Sequence, residues 1–341
     1  AAAAGEETGG GATGEGDEEA VQRQRSSQHL RVVNAIKQWI KIHSHYASHN
    51  VVGALVGLIN RSITPREPHI AKLLRQNLLT SITAPTVHQG CVSVTSAASV
   101  PNLHFLQWTD QEIAEQLTLI EARLFGRIGP EELLDQAWTS KKKTATNVLA
   151  FIARFNAVND WTASCIMHQH SLPERQNTVK RFYRIANLMF DMNNFNGFLS
   201  IETALHKSSV HRLKRTMTAV APEDVAGMER RTEVLSEHKS YKLYRDKLRK
   251  ITPPCIPYIG VDLKDLTYIT ENPRKRDGLI NFSRIKKEAT TIARLQDMQN
   301  TPYTFREIPK LMAMLEETRE PVGDKELHRL SHELEPRQAL S

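Results

Sequence analysis

From His29 almost to the end of the chain, apolar residues recur every three to four positions, and strand-like alternation is nearly absent. A repeat near 3.6 residues buries one stripe of each helix, so the pattern restricts the chain to an all-α architecture. Leu30, Val33, Ile36 and Ile40 form one stripe, with Trp39 beside them. Val52, Leu55, Val56 and Ile59 form a second, and Ile70, Leu73, Leu74 and Leu78 a third after Pro65 and Pro68. They predict a small three-helix unit over 29–79. Residues 80–102 contain no charged residue and read as a linker, with Cys91–Thr95 as a candidate short strand.

A large helical domain is predicted over 103–338. Thr109 or Asp110 can cap a helix whose buried face is Ile113, Leu117, Ile120 and Leu124. Gly129-Pro130 opens the next, with Glu131 and Glu132 in the turn where the dipole favours them. Further stripes are Val148/Ile152/Phe155, Val179/Phe182/Ile185/Ala186/Met189, Ile285/Ala289/Ile292 and Ile308/Leu311/Met312/Leu315. Two stretches break the pattern. Asp191–Gly197 gathers Asn193, Asn194 and Asn196 around Phe195, which is costly unless the amides satisfy backbone groups in a turn. Lys207–Lys250 is a polar helical pair ending at Pro253-Pro254. Its apolar residues are too sparse to bury it on all sides, so it is expected to project as a hairpin.

The charge is divided. Residues 1–28 hold six acids against two bases and almost nothing apolar, and are expected to form a disordered tail. Their −4 leaves +11 on the rest of a chain whose net charge is +7. A basic body suits an acidic partner: nucleic acid, an anionic membrane surface or an acidic protein. No apolar run is long enough to span a bilayer, and residues 1–20 lack the pattern of a signal peptide. With three scattered cysteines, the expected setting is a reducing compartment, cytoplasmic or nuclear.

No phosphate-binding Gly loop, GxSxG or HExxH occurs. The HxH pairs His43/His45 and His168/His170 point apart on a helix, so neither metal nor cofactor is expected. Cys165 and Cys255 read as core thiols, and Lys141–Lys143 as a solvated helix start. Only 6% of residues are aromatic and no nucleic-acid module is present, so a nucleic-acid partner is not expected. Nothing indicates an obligate oligomer. The residues alone describe an interaction protein.

Spaced blocks in 103–338 resemble the catalytic domain of Ras-family guanine nucleotide exchange factors. They are Ile113–Glu121 with Leu124-Phe125, Phe155-Asn156 with Trp161, Arg175 with Asn193–Gly197, and Val210–Thr216. Pro253–Gly260 with Asp265-Leu266, Gly278–Ser283 and Leu334-Glu335-Pro336 complete the set. Residues 29–79 resemble the second half of the Ras-exchanger motif, carried by Leu30–Asn34 and Trp39-Ile40; its first half is not recognisable in 1–28.

The resemblance implies a regulator that performs no covalent chemistry. It promotes GDP release from a Ras, Rap or Ral type GTPase by inserting a helical hairpin at the switch, magnesium and phosphate region. Contact with an anionic membrane follows from where lipidated GTPases reside. Pro222–His238 would be the inserted helix. Met228 or Glu229 would take the magnesium-displacing place and Glu233 would supply a carboxylate, or these charges form a solvated face. Arg212, Leu213, Thr216 and Met217 match positions at the hairpin base, read as GTPase contacts or as packing against the core. Asn156 falls on the binding face or beside it. Asn193, Asn194 and Asn196 lock the hairpin root, Phe195 is core, and Pro253, Pro254 and Tyr258 seat the hairpin. The short helices of 29–79 would brace the hairpin, and a second, feedback GTPase is not expected on an incomplete motif. The alternative is an exchange-inactive scaffold of the same fold that binds a GTPase.

Overall fold

A computed structural model of the chain describes residues 28–40, 49–82, 107–139, 144–276, 278–317 and 322–336. The tail, the candidate strand at Cys91–Thr95, Lys141–Lys143 and the His43/His45 pair lie outside the described residues. The chain forms two compact units, Ala1–Cys91 and Val92–Ser341.

In the first unit, α1 (28–40) is followed by α2 (His49–Leu58), which runs into a π-turn at Ile59–Ile63, and then by α3 (Pro68–Ile82). Its core is Val33, Ile36, Ile40, Ile59, Ile63, Ala71, Leu74 and Leu78. Two residues of the predicted stripes face solvent instead: Leu30 is 54% exposed and Leu73 47%. Leu73 and Leu74 are about 100° apart on a helix, so only one can face this narrow core. Leu30 sits in the first turn, ahead of the first core residue.

The second unit begins with α4 (Asp110–Phe125). Thr109 caps it: its hydroxyl accepts from the Glu112 amide at 3.1 Å, and the Glu112 carboxylate accepts from the Thr109 amide at 2.8 Å. A 3-10 segment, Pro130–Thr139, follows where an α-helix was predicted. It is interrupted by the left-handed pair Asp135 and Gln136.

The frame is α5 (Thr146–Met167), α6 (Leu172–Asp191) and α7 (Phe195–Leu205). Helix α6 lies at its centre, touching α4, α5 and α7, and its buried face is Val179, Phe182, Ile185, Ala186 and Met189. Two short helices, α8 (Ser208–His211) and α9 (Lys214–Met217), lead into α10 (Pro222–Val234) and α11 (His238–Leu248). The stretch read as one helical pair, Lys207–Lys250, is thus four helices, of which α10 and α11 form the hairpin.

Beyond it come α12 (Ile259–Thr270), a two-residue antiparallel ribbon of β1 (Lys275–Arg276) and β2 (Leu279–Ile280), α13 (Phe282–Gln299), α14 (Pro309–Glu316) and α15 (Asp324–Leu334). The predicted α13 stripe is off by one position. Ile285 and Ala289 are exposed, and Arg284 and Glu288 are buried with Ile292 and Leu295. Arg284 tolerates this because it donates to the Asn272 carbonyl at 2.6 Å and pairs with Asp135. No described helix is long and apolar enough to cross a membrane.

Candidate functional site: the seated helical hairpin

The hairpin is rooted in the asparagine turn. Asn193 takes a left-handed φ of 60°, which asparagine tolerates better than most residues. The chain then meets the segment after α11 as a short parallel bridge. The Ile256 amide donates to the Asn193 carbonyl, the Phe195 amide to the Ile256 carbonyl, each at 3.0 Å, and Asn193 Nδ2 to the Pro254 carbonyl at 3.3 Å. Asn194 caps α7, accepting from the Gly197 amide at 2.9 Å and donating to Thr118 Oγ1 at 3.1 Å. A Cβ on Gly197 would lie 2.0 Å from Met189 Cε and 2.8 Å from Asn194 Nδ2, so a larger residue there would have to displace the Met189 side chain and the Asn194 amide. Phe195 is fully buried and meets Tyr244 of α11 edge-on at 5.5 Å.

Asn196 Nδ2 donates to Glu121 Oε2 at 3.3 Å, while Glu121 Oε1 is buried with no hydrogen-bond partner. Burial outweighs the nearby Arg154 cation and lifts this carboxyl from 4.5 to about 6. The fold therefore holds the proton more tightly than the unfolded chain. Stability falls as pH rises from about 4.5 to about 6 and stays lower above that window. Glu121→Gln removes the dependence. Relative to the parent, the variant should gain about 2 kcal/mol between pH 4.5 and pH 7. Urea unfolding of both proteins at the two pH values measures this; a difference that does not change with pH contradicts it.

The base of the hairpin is turned inward. Arg212 donates to the Ser331 carbonyl at 2.6 Å, to Ser331 Oγ at 2.9 Å and to the Glu335 carbonyl at 2.8 Å. Leu213 and Thr216 are both fully buried. The Glu335 carboxylate accepts from the Arg215 amide (3.0 Å), the Thr216 amide (3.0 Å) and Thr216 Oγ1 (2.8 Å). The same hydroxyl accepts from Arg175 Nε at 2.8 Å. Arg212, Leu213 and Thr216 therefore bind the C-terminal segment and the core, and Met217, half-buried like Arg212, packs in part against the main core. Sequence reading missed Glu335 as the organiser of this base. The cue was an acid followed by proline immediately after a helix.

Helix α10 is seated on α6 by one face. Met228, 1% exposed, is part of the main core. Around it, Arg231 forks onto Asp191 at 2.7 and 2.8 Å, Arg184 pairs with Asp224 at 3.3 Å, and Thr232 Oγ1 donates to Glu202 at 3.2 Å. Glu229 and Glu233 are exposed and, four residues apart, share the opposite face. The first turn of α11 holds Lys239, Ser240 and Tyr241 consecutively at φ of 50–60°. This costs about 1–2 kcal/mol per residue and marks the tip as strained.

Helix α11 is held from the other side. The buried Tyr244 hydroxyl accepts from the Tyr258 amide at 2.7 Å, and Arg245 forks onto Asp265 at 2.6 and 2.8 Å. Asp262 pairs with Arg294 directly behind. Pro253-Pro254, joined by a cis peptide, turns the chain from α11 to the bridge at Ile256. Tyr258 rests on Phe155, ring centres 6.0 Å apart, and Asn156 beside it is exposed.

The described residues offer no reactive thiol. Cys165 and Cys255 are buried, and burial pushes the Cys255 thiol up to about 12. What the arrangement presents is a seated pair of helices, with the carboxylates of Glu229 and Glu233 exposed on α10 and the cations of Lys239 and Lys242 exposed on α11.

Residues 112–286, just over half of the chain, match the RasGEF domain family. Ras guanine nucleotide exchange factor P of Dictyostelium discoideum is 31% identical over 327 residues, covering 94% of this chain and 22% of the relative. Ras guanine nucleotide exchange factor A of the same organism is 34% identical over 255 residues, covering 70% and 42%. Ras-specific guanine nucleotide-releasing factor 2 of Danio rerio is 28% identical over 320 residues, covering 90% and 26%. The chain thus spans well under half the length of these curated relatives.

Proposed function

This chain belongs to the RasGEF domain family, and from that premise we propose that it accelerates GDP release from a Ras, Rap or Ral type GTPase. The observation that carries the reading is the mounting of α10. Its inner face is fixed to α6 through Met228 and Arg231–Asp191, and its outer face presents Glu229 and Glu233.

An exchange factor needs a rigid element of this kind. It binds the nucleotide-free GTPase better than the loaded one, and by reciprocity weakens nucleotide binding by the same factor. A flexible hairpin would spend that differential binding on its own ordering. In this reading α10 enters the switch region. Glu233 supplies the carboxylate that competes with phosphate, and Glu229, rather than the buried Met228, faces the magnesium position. Met217 and Asn156 contribute contacts from the body. The root and base residues act on the GTPase only through the hairpin they hold.

Glu233→Ala should slow exchange about tenfold, equivalent to about 1.4 kcal/mol of barrier, while lowering affinity for the nucleotide-free GTPase much less. Stopped-flow release of a fluorescent GDP analogue and a pull-down of the nucleotide-free GTPase give the two readouts. Parent-like exchange by the variant removes Glu233 from this role.

One observation favours a second reading, a scaffold that binds a GTPase without exchanging it. The exposed residues of α10 are all polar or proline, so no large apolar side chain stands fully open on its outer face. Binding without accelerated release is the signature of that alternative.

A further inference from the structure

Leu279, Phe282 and Ile280 are the most exposed large apolar side chains among the described residues, at 74%, 72% and 66%. They are nearly consecutive, on β2 and at the start of α13. Their ribbon buries nothing against the body: both residues of each strand are exposed, and the space around the Gly278 turn is open. A pair of two-residue strands gains little stability of its own, so folding gives no reason to place three large apolar groups there.

The surroundings are cationic. Between 272 and 287 the sequence has six bases and one acid. Arg274 and Arg284 are engaged with Asp135, while Lys275, Arg276, Lys286 and Lys287 are exposed with no salt bridge to any described carboxylate. Tyr268, 57% exposed, borders the same region across an open groove of about 580 Å³ that Lys286 and Lys287 also line.

A protruding apolar tip ringed by long cations suits a bilayer interface better than a protein groove. The apolar side chains enter the acyl boundary, and the cations stay at the level of anionic headgroups, their methylene stems covering the transition. We infer that the 275–287 ribbon and helix start form a membrane-contact element that docks on an anionic lipid surface. It stands independently of the exchange reading, because neither the hairpin nor its mount takes part.

Co-sedimentation of the purified chain with phosphatidylcholine vesicles, with and without phosphatidylserine, tests it. The chain should sediment with the phosphatidylserine vesicles and much less with phosphatidylcholine alone. The triple variant Leu279→Ser, Ile280→Ser, Phe282→Ser and the double variant Lys286→Glu, Lys287→Glu should each bind at least about tenfold more weakly. Circular dichroism should show both folding like the parent, since none of these side chains is buried. Equal sedimentation with the two lipid compositions, or a triple variant that binds like the parent, overturns the inference and leaves the patch to a protein partner.

Discussion

Glu335→Ala should destabilise the domain by about 3–5 kcal/mol, the range seen when one partner of a buried charged network is removed. Its carboxylate accepts from two backbone amides and one hydroxyl, and lies 3.8 Å from Arg175 Nη2, which is 3% exposed. Alanine leaves the amides without acceptors and Arg175 buried beside no anion. Arg175 still donates to the Gln169 carbonyl at 2.7 Å, so the cation keeps a hydrogen bond but loses its counter-charge. The effect should also reach function, because Arg215 and Thr216 lie in the helix that leads into α10. Glu335→Gln keeps one acceptor and should lose roughly half as much stability. If the alanine variant fails to fold, the glutamine variant reports instead through urea unfolding and nucleotide release. A loss below about 1 kcal/mol for Glu335→Ala would show that the base does not depend on this residue.

Met228→Asp should have the largest effect on exchange. It places a carboxylate at a site 1% exposed, in the main core cluster. Burying an unpaired charge costs several kcal/mol, so α10 should lift from α6 rather than hold it. The peripheral pairs Arg231–Asp191 and Arg184–Asp224 cannot offset that, since partly exposed ion pairs contribute about 0–1 kcal/mol each. Nucleotide release should slow by about two orders of magnitude, a barrier increase near 2.7 kcal/mol. Limited proteolysis should begin within 222–248 while the rest of the domain stays protected. Met228→Leu, close to volume-conserving, should stay within about 1.5 kcal/mol of the parent and exchange nearly as fast. Full exchange activity in Met228→Asp would mean that the seat on α6 is not what α10 needs.

The helices were legible in the sequence because a periodic stripe records burial directly: Val179, Phe182, Ile185, Ala186 and Met189 all line the inner face of α6. The direction of each face was less legible where several stripes fit. Along α10, Val225, Met228 and Val234 allow more than one orientation; in the fold Met228 is buried, while Val225 and Val234 pack only in part against the same core. In α13 the choice between Ile285/Ala289 and Arg284/Glu288 was made by Asn272 and Asp135, which give the arginine partners. The inward turn of Thr216 depends on a carboxylate 119 residues away. No local pattern encodes such a contact. The β1–β2 ribbon is too short for alternation to register.

The asparagine turn shows the opposite case. Three amides around one phenylalanine are unstable unless they satisfy backbone groups, and that cost was visible in the residues themselves. Their partners at Thr118, Glu121, Pro254 and Ile256 were not, because they come from two other segments.

The decisive measurement is release of a fluorescent GDP analogue from a panel of Ras, Rap and Ral type GTPases in the presence of the purified chain. The seated hairpin predicts acceleration with at least one of them, rising with the concentration of the chain and diminished by Glu233→Ala. Stable binding to nucleotide-free GTPase with no acceleration for any member of the panel would contradict the exchange reading and identify the chain as a scaffold.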